Sequence, residues 1–387
     1  MLIFFIIFCF ATAIQLGFGI FFLKYAASRC ALSGAPPEKL PGVSIIICAR
    51  NEAGNLRHFL PLVLAQDYPG HLWEVIVVND ASDDGSAALL HELQKENHRL
   101  KIVTIEAYAS RSLPGKKFAL DKGIRAASFE TLLLTDADCR PATAQWLRTL
   151  ARYKAASGNA IVLGYGKYRQ TAGFLNRFIR WETAHTARQY VSLAESGRTY
   201  MGVGRNLMYE KQLYLHAASD TGFWKTYARL PSGDDDLLVA GIASRSPAGS
   251  CLAQEAHTVS LPESRWKEWF RQKKRHLSTG KYYPSAIKRI LGLYAFSHGL
   301  FWLLFTALLV TAGICIASKQ AFPSFLPAAF FCGCGRILFY WISAAGWYRM
   351  LHEKKLILFY PAGDFCWAVY NLIFASYIFW RNKQEWK

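Results

Sequence analysis

The sequence predicts an α/β domain with a mostly parallel sheet, carried between transmembrane helices at its two ends. Three observations predict it. Strand-like and helix-like runs alternate from Val43 to Thr135. Met1–Leu23 and Leu291–Ser318 contain no charged residue, and each is long enough to cross a bilayer as a helix. Between them, Lys24 to Arg289 has the mixed composition of a soluble domain. The 387 residues are 52% hydrophobic and 19% charged, against about 25% charged in ordinary soluble domains. A disordered tail and a disulfide miniprotein are therefore excluded.

Met1–Leu23 has no basic residue before its apolar run and no small-residue cleavage site before Lys24, so it reads as an anchor and not as a cleaved leader. The strands follow from β-branched runs: Val43–Cys48 after Pro41-Gly42, Glu74–Asn79, Lys101–Ile105 and Thr131–Thr135. Helical spacing places helices at Asn55–Ala65, where Leu56, Leu60 and Leu64 share a face, at Ser86–Lys95 and at Phe118–Ala127. Alternation at these lengths implies parallel strands covered by helices on both faces, with ligands at the carboxyl ends of the strands. Toward the C-terminus, Phe322–Trp347 holds one Arg and Leu356–Trp380 holds one Asp beside Pro361 and Gly363; both are expected spans, the last kinked or partly interfacial. The expected division is 1–23 as anchor, 24–289 as the α/β domain and 290–387 as membrane region with two or three spans.

Lys24, Arg29, Lys273, Lys274, Arg275, Lys288 and Arg289 border the apolar segments, so the positive-inside rule places the soluble stretch in the cytoplasm. The expected location is a plasma membrane, the inner membrane in a bacterium. Three C-terminal spans would put the basic tail Arg381–Lys387 on the other side, so a re-entrant or interfacial segment stands as the alternative. The net charge of +18 is concentrated: Arg265–Arg289 holds nine basic residues and one acidic. Lys24–Ser264 is nearly balanced, with 28 basic against 23 acidic residues, too even for a nucleic-acid footprint. The nine cysteines show no zinc spacing, and reduced thiols suit a cytoplasmic domain.

Acidic residues stand at the expected strand ends. Asn79-Asp80-Ala81-Ser82-Asp83-Asp84-Gly85-Ser86 follows the second strand, and Asp136-Ala137-Asp138 follows the fourth. Asp83 or Asp84 alone reads as a helix cap. Asp136 and Asp138 flank one small residue and repel each other unless a cation lies between them, which points to Mg²⁺ or Mn²⁺ held by carboxylate, phosphate and water.

This ordered set resembles the family 2 glycosyltransferases, inverting enzymes of the GT-A fold that use nucleotide sugars. Ala49-Arg50-Asn51-Glu52 is similar to the loop that holds the nucleotide base and ribose, and Asp80 to the aspartate that contacts the base. Gly115-Lys116-Lys117-Phe118-Ala119-Leu120-Asp121 resembles a Gly-Lys-x-x-Ala-Leu-Asn segment near the phosphates, with Asp121 in place of Asn. Asp136-Ala137-Asp138 is similar to the metal motif, and Gly202-Val203-Gly204-Arg205-Asn206 to a segment beside the acceptor, which makes Asn206 an acceptor-side residue. Ser232-Gly233-Asp234-Asp235-Asp236-Leu237 resembles Glu-Asp-x-Asp-Leu, implying Asp234 as catalytic base, or Asp235 with a one-residue shift, and Gly233 where Glu is usual. Gln272-Lys273-Lys274-Arg275-His276 is similar to Gln-x-x-Arg-Trp; it implies Gln272 and Arg275 near the donor diphosphate and His276 where Trp faces the acceptor.

The resemblance implies a nucleotide-sugar donor, by family habit a UDP-sugar, with GDP-sugars open. It implies a single displacement in which Asp136 and Asp138 hold the metal, Lys116 and Arg275 supply positive charge, and Glu52 and Asp80 position the nucleotide. The acceptor is expected to be a membrane lipid or lipid-linked glycan; a processive polysaccharide synthase is the alternative. Trp266, Trp269 and Phe270 share one face of a basic helix, as in bilayer-surface helices, and Gly173–Leu193 reads either as another or as a core helix. A sugar-nucleotide pyrophosphorylase would need a glycine-rich loop where Ala49–Gly54 stands, and a non-catalytic scaffold leaves the acidic clusters without a reason.

Overall fold

The computed structural model describes residues 2–27, 39–243 and 246–374. Arg29 and the tail Arg381–Lys387, used above to argue sidedness, lie outside the described residues. The elements, in chain order, are α1 (Leu2–Ala27), β1 (Val43–Ala49), α2 (Ala53–Leu64), β2 (Trp73–Asp80), α3 (Ser86–Glu96), β3 (Leu100–Ile105), α4 (Lys116–Ala126), β4 (Thr131–Asp136), β5 (Cys139–Pro141) and α5 (Trp146–Ser157). There follow β6 (Ile161–Gly164), β7 (Gly166–Tyr168), α6 (Phe174–Glu195), β8 (Leu207–Glu210), α7 (Lys211–Ser219), α8 (Thr221–Tyr227), α9 (Asp236–Ile242), β9 (Ala248–Cys251) and β10 (Thr258–Ser260). The chain ends in α10 (Trp266–Leu277), α11 (Ser285–Ala317), α12 (Leu326–Met350) and α13 (Tyr360–Phe374).

A seven-stranded sheet runs β3-β2-β1-β4-β8-β6-β9. Its first four strands are parallel, because α2, α3 and α4 each return the chain across a face between successive strands β1, β2, β3 and β4. β1 and β2 are buried at every residue, and β4 at all but its last, which explains their unbroken apolar runs. β8 is antiparallel to both β4 and β6. Its start therefore lies beside the carboxyl end of β4, and the segment before it joins the ligand-binding edge. A three-stranded sheet, β5-β10-β7, stands next to that edge.

α1, α11 and α12 are long and apolar enough to cross a membrane. α13 begins at Tyr360 and not at the expected Leu356, its 15 described residues make about 22 Å of helix, and residues 375–380 of the expected span lie outside the described residues. Charged and polar side chains hold these helices together. Asp364 of α13 accepts from Arg336 of α12, from Trp302 Nε1 of α11 at 3.0 Å and lies 3.1 Å from His298 Nε2. Arg336 also donates to Gln15 Oε1 of α1 at 2.7 Å, and Gln15 Nε2 donates to Ser297 Oγ at 2.8 Å. The single Arg and single Asp that interrupted two apolar runs are thus each other's partners.

α6 is a core helix, which decides between the two readings of Gly173–Leu193: Phe178, Trp181, Ala184, Ala187 and Tyr190 are all buried. It carries the α/β domain onto the apolar helices, through Arg180 paired with Glu353 and Glu182 paired with Lys273. α10 differs from a free bilayer-surface helix. Trp269 is buried against Phe178 and Tyr370 (ring centroids 5.6 and 5.8 Å), and Phe270 stacks on Phe374 at 5.3 Å. Protein covers most of its aromatic face, because α6 and α13 offer apolar surface that needs no lipid; only Trp266 stays largely open.

Removing one partner of a buried ion pair strands the other charge. Arg336→Met is expected to cost about 3–5 kcal/mol, and Arg336→Met with Asp364→Leu to recover most of it. Thermal unfolding of the detergent-solubilised variants checks this; equal losses in the single and double variants would contradict the pairing.

Candidate active site

The carboxyl ends of β1, β2 and β4 form one edge, where the register sets Ala49 beside Asn79 and Cys48 beside Asp136. The first two loops are laced together. Asn51, at φ 55°, donates its N–H to Ser82 Oγ (3.0 Å) and accepts from Asp83 N–H at Oδ1 (2.9 Å). Asp84 accepts from Ala53 N–H at 2.9 Å and from Ser86 N–H at 3.0 Å, so it ties the loops and does more than cap a helix. Glu52 begins α2 half-exposed, its Oε2 accepting from Asn55 at 2.6 Å. Asp80 is fully buried and receives both arms of Arg111, at 2.5 and 2.9 Å. Sequence reasoning missed Arg111: a lone Arg in a loop after β3 carries no local signal.

Lys116 is the hub. Gly115 sits at φ 58°, ψ −138°, a region only glycine enters readily, and this turn starts α4 with Lys116 aimed at the strand edge. The ammonium lies 2.5 Å from Asp136 Oδ1 and 3.2 Å from Asp234 Oδ2. Burial opposes its charge, but the two carboxylates outweigh that and hold its pKa well above the usual lysine range. Lys117 turns the other way, donating to the carbonyls of Tyr227 (2.7 Å) and Leu230 (2.9 Å), and burial brings it down to about 8. It clamps the segment leading into the acidic run.

Each of the three consecutive aspartates has a different task. Asp234, with a side chain 21% exposed, pairs with Lys116. Burial alone would raise its carboxyl, but Lys116 holds it below the ordinary range. Asp235 uses both oxygens, accepting from Asp236 N–H at 2.7 Å and from Gly204 N–H at 2.8 Å. Burial, then Asp234 and Asp236, push it up to about 7. Asp236 is buried and accepts from Thr279 Oγ1 (2.5 Å) and Tyr283 Oη (2.6 Å), which ties the run to the chain after α10. Gly233 stands where Glu was expected because its φ is +89° and a Cβ would lie 2.5 Å from Leu237.

The oxygens of Asp136 and Asp138 and the sulfur of Cys139 lie within 4.8 Å of one another. Burial and the neighbouring Asp136 raise the Asp138 carboxyl, against the hydrogen bond from Cys139 and the charges of Arg205 and Lys116. Burial keeps Cys139 a thiol, and it donates to Asp138 at 3.3 Å. The donor set is therefore carboxylate oxygen, which fits a hard divalent cation such as Mg²⁺ or Mn²⁺.

Asn206 corrects the sequence expectation. It is fully buried; Oδ1 accepts from Trp146 (3.0 Å), and Nδ2 donates to the carbonyls of Ala256 (2.7 Å) and Tyr165 (3.2 Å). With its hydrogen-bonding groups engaged inside the protein, it braces the site from behind and does not face an acceptor. Asp121 is likewise structural, paired with Arg125 and Tyr214. Gln272 and Arg275 are half-exposed and His276 exposed on α10, whose following residues meet the acidic run through Ser278–Ser232 and Thr279–Asp236.

Residues 44–215 match the family model described as glycosyl transferase family 2. The chain is 28% identical over 210 residues to a poly-beta-1,6-N-acetyl-D-glucosamine synthase of Staphylococcus epidermidis, covering 53% of this chain and 48% of that protein. It is 25% identical over 256 residues to the probable glycosyltransferase YdaM of Bacillus subtilis, covering 63% and 56%. The chain thus spans about half the length of these curated relatives. Among solved structures it resembles the mannosyltransferase PcManGT of Pyrobaculum calidifontis in complex with GDP-Man and Mn²⁺, with TM-score 0.57, 20% identity, and coverage of 95% of this chain and 99% of that one. This likeness is one of fold.

Asp235 gives a pH signature. Its folded-state carboxyl lies above the unfolded value near ~3.9, so the stability tied to its proton is full below that value and is lost as pH rises through about 7. Asp235→Asn is expected to shrink the fall in melting temperature between about pH 5 and pH 8. An undiminished fall would contradict the assignment.

Proposed function

We propose that the chain, which carries a glycosyl transferase family 2 domain at residues 44–215 on a GT-A fold, is a nucleotide-sugar-dependent glycosyltransferase that moves a single sugar to a lipid or lipid-linked glycan by one inverting displacement. The observation that carries this is Lys116 set between Asp136 and Asp234, which puts cation site, positive charge and base around one point.

Asp136 and Asp138 are the residues that would hold the divalent cation. When bound, it supplies Lewis-acid stabilisation to the departing diphosphate. Lys116 and Arg275 add positive charge where negative charge develops. Asp234 has one oxygen beside Lys116 and a partly exposed side chain, so in this reading it takes the acceptor hydroxyl's proton as the hydroxyl oxygen attacks the anomeric carbon. Asp235 is the weaker candidate for base, although its pKa near 7 suits the task, because backbone N–H groups occupy both its oxygens. Glu52 and Asp80 position the nucleotide. Asp80 is fully buried with both oxygens bound to Arg111, so it acts by fixing that guanidinium, whose remaining donors face the carbonyl groups of a base. A UDP-sugar is the first donor to test, a GDP-sugar the second.

The apolar helices and the basic residues Lys24 and Lys273–Arg289 support a plasma-membrane enzyme with its site on the cytoplasmic side. The names of the Staphylococcus relatives favour a second reading, processive polymer synthesis. Against it, the space between α1, α11, α12 and α13 is filled by Gln15, His298, Phe301, Arg336 and Tyr340, all buried.

The test is transfer from labelled UDP- and GDP-sugars with Mn²⁺ in membranes carrying the full chain. Asp234→Asn is expected to lose about 10³-fold in rate, Asp235→Asn far less, and the wild-type product to carry one added sugar. Undiminished transfer by Asp234→Asn would remove the base, and a ladder of long products would establish the processive reading.

A further inference from the structure

Arg205 lies at the active edge with most of its hydrogen-bonding capacity unused. It precedes β8, whose antiparallel course brings this segment beside the end of β4. Its backbone is pinned: the carbonyl accepts from Thr135 Oγ1 at 3.1 Å and from Thr258 Oγ1 at 3.0 Å, and the flanking Gly204 N–H is held by Asp235. The guanidinium stacks over the Tyr168 ring at 4.3 Å, and Nη1 donates to Ser260 Oγ at 3.3 Å. Ser260 Oγ is 2.9 Å from Cys139 Sγ, which donates to Asp138. A short polar chain therefore fixes the cation beside the metal motif. Among the described residues no carboxylate stands within ion-pair distance of Arg205, and a guanidinium has five N–H donors. The side chain is partly exposed, not sealed in the core.

Its place in the sheet says which substrate it meets. Across the edge the order is Asp80 at β2, Glu52 at β1, Asp136 at β4 and then Arg205 before β8. The β1 and β2 loops lie on one side of Asp136 and Asp138, and Arg205 lies on the other. Gly204–Asp235 ties it to the run carrying Asp234. Arg275 is a second half-exposed cation on α10, and desolvation by the surrounding protein, together with Lys273, Arg275 and Arg205, keeps His276 neutral. Asp138 and Asp136 lie near enough to Arg205 to favour its charge but make no direct hydrogen bond to it, so this rigid, stacked, planar cation keeps N–H donors for phosphate oxygens.

Resting on the glycosyltransferase reading, we infer that Arg205 reads the acceptor, and that the acceptor carries a phosphoryl group beside the hydroxyl that is glycosylated. In the step, the hydroxyl oxygen bonds to the anomeric carbon, the bond from that carbon to the nucleotide diphosphate breaks, and the proton passes to Asp234. The acceptor's phosphoryl group is unchanged and serves only as the anion held by Arg205.

The experiment uses the full chain in native membranes with labelled UDP- and GDP-sugars and Mn²⁺. Products are partitioned into lipid and aqueous phases, the lipids then separated on an anion exchanger, with soluble glycerol phosphate added as competitor. The expected label is in the phosphate-bearing fraction. Label in the lipid phase makes the source a lipid phosphate; label in the aqueous phase makes it a free one. Arg205→Gln is expected to raise the acceptor KM at least about tenfold, with the donor KM moving less than about threefold, and Arg205→Lys to regain part of the loss. Competition by glycerol phosphate should weaken in Arg205→Gln. Retained binding of UDP or GDP with Mn²⁺ shows the variants folded. Label confined to neutral lipids, or a rise in donor KM in place of acceptor KM, would overturn the inference while leaving the enzyme a glycosyltransferase. No transfer from any donor would overturn both.

Discussion

One ammonium holds the active edge together. Asp136 comes from β4, Asp234 from the run before α9 and Lys116 from the start of α4, so three distant segments converge on contacts of 2.5 and 3.2 Å. Without that charge, Asp136, Asp138, Asp234, Asp235 and Asp236 would crowd one small region with like charge. The scaffold is arranged to keep Lys116 where it is. Gly115 adopts a conformation closed to other residues, Lys117 anchors the Tyr227–Leu230 carbonyls, and α4 lies so close to the sheet that a Cβ on Gly123 would meet Ile46 and Val78 within 2.9 Å. Catalytic geometry and local stability are the same set of contacts here.

The second organising feature is how the α/β domain is mounted. α6 sends Arg180 to Glu353 in the turn before α13 and Glu182 to Lys273 of α10, while Trp181 packs so tightly on Gly363 that a Cβ there would lie 2.5 Å away. These contacts are buried, so an ion pair or a ring clash resists any rocking of the domain on the apolar helices. The acidic run is joined to the same mount through Thr279 and Tyr283, which follow α10. The acidic run is thereby held in a fixed position relative to the apolar helices.

β1, β2 and β4 were legible because they are buried almost throughout and read as unbroken apolar runs, and the half-buried edge strand β3 because of its Ile-Val-Thr-Ile run; the expected bounds of all four differ from the observed ones by a residue or two. β5 to β10 were not, since strands of three or four residues such as Cys139–Pro141 have no period to detect. Lys116, Asp136 and Asp234 were legible as types in order, yet their convergence is tertiary. Asn206 was misjudged because a motif position says nothing about which way a side chain turns, and its partners Trp146, Tyr165 and Ala256 are far apart in sequence. Arg111 and Arg205 escaped for the same reason: what matters in each is a partner, Asp80 in one case and Tyr168 in the other, that only the fold supplies. The covered face of α10 was hidden because an amphipathic pattern does not distinguish protein from lipid as the apolar surface it meets.

The central claim is that one carboxylate, Asp234, delivers the acceptor oxygen across the sugar from the diphosphate. The most direct measurement is the anomeric configuration of the newly formed bond, read by proton NMR on product made from an α-linked sugar nucleotide. The account predicts a β-linkage formed by the wild-type chain; an α-linkage would contradict single displacement.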